Sequence, residues 1–164
     1  MMEKAKLNEK RVLLSIPFSE AKEMVNNYID KINRDEHGQL ENTVSVWFSL
    51  QQLNYITNLL NAEQEASAQH TPNQVTDGLR IYFANYGGAP PQGHEDYKDK
   101  NTVVLISTHS VANRPEKHKD YFQNITPQVQ MEPQNRGVLC PPERGCDCES
   151  EIFDPQNAPL CDYP

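Results

Sequence analysis

Four cysteines near the C-terminus are the residues whose type and spacing most directly suggest chemistry: Cys140, Cys146, Cys148 and Cys161. Four thiolates can hold Zn(II) in a tetrahedral site, and a structural zinc would supply folding energy to a tail poor in apolar residues. Their spacing, C-x5-C-x-C-x12-C, differs from the paired C-x2-C pattern typical of zinc sites. Disulfide bonds and free thiols therefore stay open as alternatives, and disulfides gain weight if the protein is exported.

Histidines form the second group with chemical potential. His94 precedes Glu95 and Asp96 in a long loop, and His109 follows a strand-like segment. Antiparallel pairing of the flanking strands could bring these groups together as a metal or acid–base site, but the interpretation we favour is a solvated polar loop. A nucleophilic cysteine needs a nearby base and a lowered pKa, and the prolines after Cys140 do not suit a helix start. We assign no catalytic residue.

Three further side chains have the composition of a binding surface. Arg80, Tyr82 and Tyr86 fall on one face of a predicted strand. An arginine among aromatic rings is frequent at binding hot spots. The same residues could cover a sheet face beneath a helix, with the Arg80 guanidinium extending into solvent, and this packing interpretation is the one we favour.

Signatures of the common enzyme classes do not occur in the chain. The sequence has no GxGxxG, Walker, HExxH, GxSxG or EF-hand pattern. This counts against an enzyme and favours a noncatalytic binding or interaction protein. Its partner would be an unknown protein or small ligand, and assembly into a homo-oligomer stays open. A small enzyme that uses the loop histidine and carboxylates, or a tail cysteine, is the alternative.

Two strand-like segments form the predicted centre of the fold. Asp77 to Tyr86 reads DGLRIYFANY and alternates in apolar character, whereas Thr102 to Ser107 is almost continuously apolar. Alternation is typical of a strand, and a continuous apolar run is typical of a strand buried on both faces. The loop 87–100 between them has no helical pattern, so antiparallel pairing is expected. Such a long loop is often functional.

Two amphipathic helices are predicted before this centre. Apolar residues recur at helical spacing over 19–34, and Ser49 with Gln52 forms a capping-box pattern that begins a second helix ending near 62–66. Between the helices, Thr43 to Phe48 alternates as a short strand.

These elements predict an α+β fold: two amphipathic helices on a small, mostly antiparallel sheet, with strands near 43–48, 79–85 and 102–107 at its centre. Past residue 110 the composition changes, because eight of the twelve prolines lie there. We therefore expect a core domain at 1–110 and an extended, Pro-rich, acidic C-terminal arm at 111–164, packed in part on the core. The segment 137–139 would add an edge strand.

Four segments in this order carry a resemblance: WFSLQQL, DGLRIYFANY, NTVVLIST and NRGVLCPP. The chain resembles a family of small, uncharacterised bacterial proteins with GxRIYF, TVVLxxT and Leu-Cys-Pro-Pro motifs, over roughly Trp47 to Cys146. That family has no assigned activity, so the resemblance implies no catalytic residues. It implies that Cys140, Pro141, Pro142 and Cys146 are family features.

Charge and hydropathy limit the partners and the location. The net charge is −8, and an acidic protein repels phosphate backbones, so nucleic acid is disfavoured as a partner. The N-terminus has no apolar run of the length of a secretory signal, and no stretch is long enough for a membrane span. We therefore expect a cytoplasmic protein without a membrane-bound state.

Overall fold

The computed structural model describes residues 15–32, 36, 42–121, 131–135, 137–140 and 152. They form an α+β fold with two α-helices, a short 3₁₀ helix and five strands, as the sequence predicts. In chain order the elements are α1 (Phe18–Ile32), β1 (Ser45–Trp47), α2 (Leu50–His70), β2 (Thr76–Asn85), the 3₁₀ helix (Glu95–Tyr97), β3 (Asn101–Val111), β4 (Arg114–Asp120) and β5 (Val138–Cys140).

The larger sheet has the strand order β2-β3-β4 and is antiparallel throughout. Ile81 faces Leu105 in the β2–β3 pair, so the predicted antiparallel pairing and the central position of β3 are confirmed. Beyond the end of β4, Gln134 continues along the same edge of β3 through two backbone hydrogen bonds of 2.9 Å with Leu105. This bridge brings a residue from the Pro-rich segment onto the central strand.

The placement of β1 corrects one prediction. Within the described residues, β1 does not join the larger sheet but pairs antiparallel with β5, with Val46 facing Leu139. The periodicity of Thr43 to Phe48 identified a strand correctly, but periodicity contains no information about a partner that lies far along the chain. The predicted edge strand at 137–139 is confirmed as β5, which is that partner.

Helix α2 packs its apolar side on the larger sheet. Ile56, Leu105 and Met131 form the buried cluster, and neighbouring partly buried side chains complete it: Phe48, Leu59, Leu60, Leu79 and Val103. The helix runs to His70, past the predicted end, because its inward-facing side continues with the buried polar residues Glu63 and Ser67. These two residues do not contribute to an apolar stripe, so the sequence pattern ends before the helix does.

The start of α2 carries the predicted capping box. The Ser49 hydroxyl accepts a hydrogen bond from the Gln52 backbone N–H at 3.1 Å, and the Gln52 side chain accepts one from the Ser49 N–H at 2.8 Å. We expect Ser49→Ala to lower the free energy of unfolding by about 1 kcal/mol, because one N–H of the first turn loses its acceptor. Urea unfolding followed by circular dichroism would measure this. An unchanged midpoint would contradict it.

Contacts divide the chain into two compact units. Helix α1 lies in the unit formed by Met1–Leu40 and Asp147–Leu160, and the remaining described elements lie in the other. Within the first unit the buried Asn26 side chain donates to the carbonyls of Lys22 and Ile152, at 2.8 and 3.0 Å. Strands β4 and β5 both follow residue 110, the predicted end of the core domain. No helix among the described residues has the length and hydropathy of a membrane span.

Candidate functional site

The loop between β2 and β3 forms one wall of a pocket. Gly87 has a φ of +60°, a conformation that glycine adopts without strain, and it turns the chain directly after β2. The Asp99 N–H donates to the Gly87 carbonyl at 2.8 Å, and the Tyr86 N–H donates to the Lys100 carbonyl at 3.1 Å, so the two ends of the loop are closed together. The 3₁₀ helix then places Tyr97 beneath the loop, where it is buried.

The pocket has a volume of about 610 Å³, within the usual range for small-molecule sites. Its lining comes from the loop and from the segment that leads into β5: Tyr86, Pro91, Gln92, His94, Tyr97, Asn135, Gly137 and Val138. We call it the loop pocket.

Aromatic rings form its apolar surface. The Tyr86 and Tyr97 ring centroids lie 5.6 Å apart, and those of His94 and Tyr97 lie 4.8 Å apart, with tilted planes in both pairs. The distances fall in the range of favourable ring–ring contacts. The three rings are therefore held as one group around Tyr97.

Asn135 supplies the pocket's anchored polar group. Its side-chain oxygen accepts hydrogen bonds from the hydroxyls of Tyr86, at 3.1 Å, and Thr102, at 2.9 Å. These bonds fix the amide, whose NH₂ group makes no hydrogen bond within the part of the chain described. Asn135 lines both the loop pocket and a neighbouring pocket beside Phe48 and Gln52, and we expect its NH₂ group to be accessible to a ligand.

The structure brings together two of the predicted binding residues, Tyr86 and His94, but not His109. His94 contacts Tyr97 near the start of β3, whereas His109 lies near the far end of that strand, buried against Tyr121 at 5.0 Å between centroids. His109 lies eight positions beyond Asn101 along the strand, which corresponds to about 27 Å. The predicted antiparallel pairing is present. The length of β3 nevertheless keeps His94 and His109 too far apart to form the metal or acid–base site that was considered from the sequence.

Arg80 and Tyr82 belong to a different surface, the polar face of the larger sheet. Both contact the Asp120 carboxylate, and Arg80 also donates to the His118 carbonyl at 2.7 Å. The hydrogen bond to Tyr82 and the charge of Asp120 raise the pKa of Arg80 above its ordinary value. Tyr82 is 39% exposed, so the preferred interpretation, burial under a helix, does not describe it.

Sequence reasoning missed the Asp77–His118 pair on the same face. His118 Nδ1 lies 2.6 Å from one oxygen of Asp77, and the other oxygen accepts from the Thr108 hydroxyl at 2.8 Å. Strand β4 carries His118, but RPEKHKD has no alternating apolar pattern that would identify a strand. Only the register of β4 on β3 brings these groups together.

Cys140 is disulfide-bonded. A disulfide sulfur is not a thiolate and does not bind Zn(II), so for this residue the disulfide alternative describes the structure. The other members of the predicted zinc set, Cys146, Cys148 and Cys161, lie outside the described residues. Among the residues that are described, no group of three or more potential ligands is placed to hold a metal ion.

Comparison with known proteins adds no relative from which a role could be inferred. No family model, curated protein or solved structure matches the chain. The resemblance to small bacterial proteins with GxRIYF, TVVLxxT and Leu-Cys-Pro-Pro motifs therefore stays a prediction.

Proposed function

We propose that this chain is a noncatalytic binding protein whose loop pocket holds a small, ring-containing ligand that is neutral or positively charged. The observation that carries the proposal is the pocket itself: about 610 Å³ lined by three clustered aromatic rings and an anchored amide. Such a combination of apolar surface with few fixed polar groups is typical of small-molecule sites.

Each part of the ligand description follows from a contact. Ring faces stack on planar groups, so Tyr86, His94 and Tyr97 favour a ligand that contains a ring, and the two tyrosine faces also attract an ammonium group. The Asn135 NH₂ group favours an acceptor on the ligand, such as a carbonyl or hydroxyl oxygen. The net charge of −8 disfavours anions at low ionic strength.

Titrations with indole, benzylamine and benzoate test the proposal, with amide chemical shifts as the readout. We expect saturable shifts within 86–100 and 135–138 for indole and benzylamine, and weaker ones for benzoate. His94→Ala should raise the dissociation constants by about 3- to 10-fold, because one ring contact of about 1 kcal/mol is lost.

The matched control is His70→Ala, which removes an exposed histidine from the end of α2. It should leave the shifts and the dissociation constants unchanged. Absence of saturable shifts at the pocket, or equal effects of the two substitutions, would overturn the proposal.

The alternatives and the location drawn from the sequence stay predictions: a four-cysteine zinc element, which would require reduction of the Cys140 disulfide, a small enzyme and a cytoplasmic location. Asp77–His118 is the described pair closest to acid–base chemistry, but the hydroxyl that accompanies it, on Thr108, donates to the Asp77 carboxylate and not to the imidazole. The disulfide at Cys140 favours an oxidising compartment over the cytoplasm, because cytosolic thiols are kept reduced.

A further inference from the structure

Strand β2 forms an edge of the larger sheet. The β2–β3 register shows which of its backbone N–H and carbonyl groups face away from β3. The N–H and carbonyl of Leu105 bond to Gln134, on the side of β3 away from β2. Ile81, which faces Leu105, therefore does not exchange hydrogen bonds with β3. The backbone N–H of Tyr86 bonds to Lys100 on the β3 side. Because Tyr86 lies an odd number of positions from Ile81, this bond supports the same alternation. The backbone groups of Leu79, Ile81 and Phe83 point to the open edge, where no described residue bonds to them.

The side chains of this edge are unusually apolar. Phe83 is 90% exposed and Ile81 is 56% exposed. Edge strands in monomers are usually short, bulged or charged, because a long apolar edge pairs with other chains. β2 has ten residues, and its register irregularity lies only at Thr76/Gly78, away from this segment.

We propose that β2 pairs antiparallel with β2 of a second copy of this chain, about a two-fold axis at Ile81. The two three-stranded sheets then become one six-stranded sheet. Backbone hydrogen bonds would satisfy the outward groups of both strands, and Phe83 of each copy would cover Leu79 of the other. Two-fold pairing of identical surfaces is the commonest route to homodimers.

The alternation of the backbone limits the position of the axis. Residues whose backbone groups face the open edge pair only with residues of the same kind in the other copy. The two-fold axis must therefore pass midway between the two copies of one residue, which then face each other. An axis at Arg80 would place like charges opposite each other. An axis at Tyr82 would place Leu79 against Asn85, and one at Phe83 would place Ile81 against Asn85. Only the axis at Ile81 matches all three apolar side chains.

Charge on the opposite face is compatible with the same axis. With Ile81 on the axis, Arg80 of one copy lies opposite the uncharged Tyr82 of the other, so no like charges face each other. Within each chain the Arg80 guanidinium extends over β3 to the Asp120 carboxylate and the His118 carbonyl, away from the open edge.

Sedimentation equilibrium over a concentration series tests the dimer. We expect the mass to rise from 18.8 kDa toward twice that value. Phe83→Glu should return the mass to that of a monomer without changing the circular dichroism, because the side chain is exposed. Leu50→Glu, at a residue 73% exposed on α2, should leave the dimer intact. A monomer at every concentration, or a Phe83→Glu dimer, would overturn the proposal.

Oxidative cross-linking tests the register. Cα atoms of facing residues lie about 5.5 Å apart, within reach of a disulfide. Ile81→Cys should therefore cross-link to its own copy, as identified by mass spectrometry of the joined β2 peptides. Phe83→Cys should not, because its copies would lie about 13 Å apart along the strands. The reverse pattern would overturn the axis at Ile81.

Discussion

Replacing Glu63 by Ala is expected to lower the free energy of unfolding by about 3 to 5 kcal/mol. The carboxylate is fully buried. It accepts hydrogen bonds from the hydroxyls of Thr76, at 3.2 Å, and Ser107, at 3.0 Å, and from the Met131 N–H at 3.0 Å. Ala would leave all three donors without their acceptor in a water-excluded site. Chemical denaturation at neutral pH measures the loss.

A comparison with Glu63→Gln separates the hydrogen bonds from the volume of the side chain. The Gln oxygen can accept from Met131, and hydroxyls can accept from its NH₂ group, so we expect a loss of only about 1 kcal/mol. Glu65→Ala, at an exposed position of the same helix, should change stability by less than about 0.5 kcal/mol. Equal losses for Glu63→Ala and Glu65→Ala would show that the buried carboxylate does not stabilise the fold.

Gly137→Ala should destabilise the protein by about 2 to 3 kcal/mol through overpacking. A Cβ atom at this buried position would overlap a Val46 methyl carbon and would lie 2.8 Å from the Phe48 ring. Both neighbours belong to or flank β1, so the substitution would push β1 and β5 apart. Thermal unfolding should show a lower midpoint.

The matched control is Gly88→Ala, which lies in the loop after β2 with no atom within 4 Å of the added carbon and no left-handed backbone. Its midpoint should equal that of the unmodified protein. If Gly137→Ala unfolds at the same temperature as Gly88→Ala, the close packing of β1 against β5 does not hold in solution.

Local sequence signals predicted the elements of this fold well. The Ser49–Gln52 capping box, the alternation in β2 and the apolar run in β3 each depend on neighbouring residues, and each is present in the structure. The antiparallel β2–β3 pair also followed from local information, because the loop between the strands has no crossover helix.

Contacts between distant residues could not be predicted in this way. Pairing of β1 with β5 joins Val46 to Leu139, and burial of Glu63 depends on Met131. A lone glutamate in an amphipathic helix is usually solvated, so composition alone places it on the surface.

The loop pocket was predicted only in part. Loop length drew attention to 87–100, and Tyr86 and His94 were named, but Tyr97 sits in the charged segment EDYKDK and gave no sign of burial. Asn135 was missed because its position depends on the bridge between Gln134 and Leu105.

The segment 131–135 links the buried carboxylate to the loop pocket. Its first residue, Met131, bonds to Glu63, and its last, Asn135, lines the pocket. Local opening of this segment would remove one pocket wall while the β2–β3 hairpin stays formed. A ligand that contacts Asn135, as we propose, would stabilise the closed segment by mass action, and slower hydrogen exchange at the mutually bonded amides of Leu105 and Gln134 would report its occupancy. If the loop pocket binds a ligand as proposed, its affinity is thermodynamically linked to the stability of the core through these five residues.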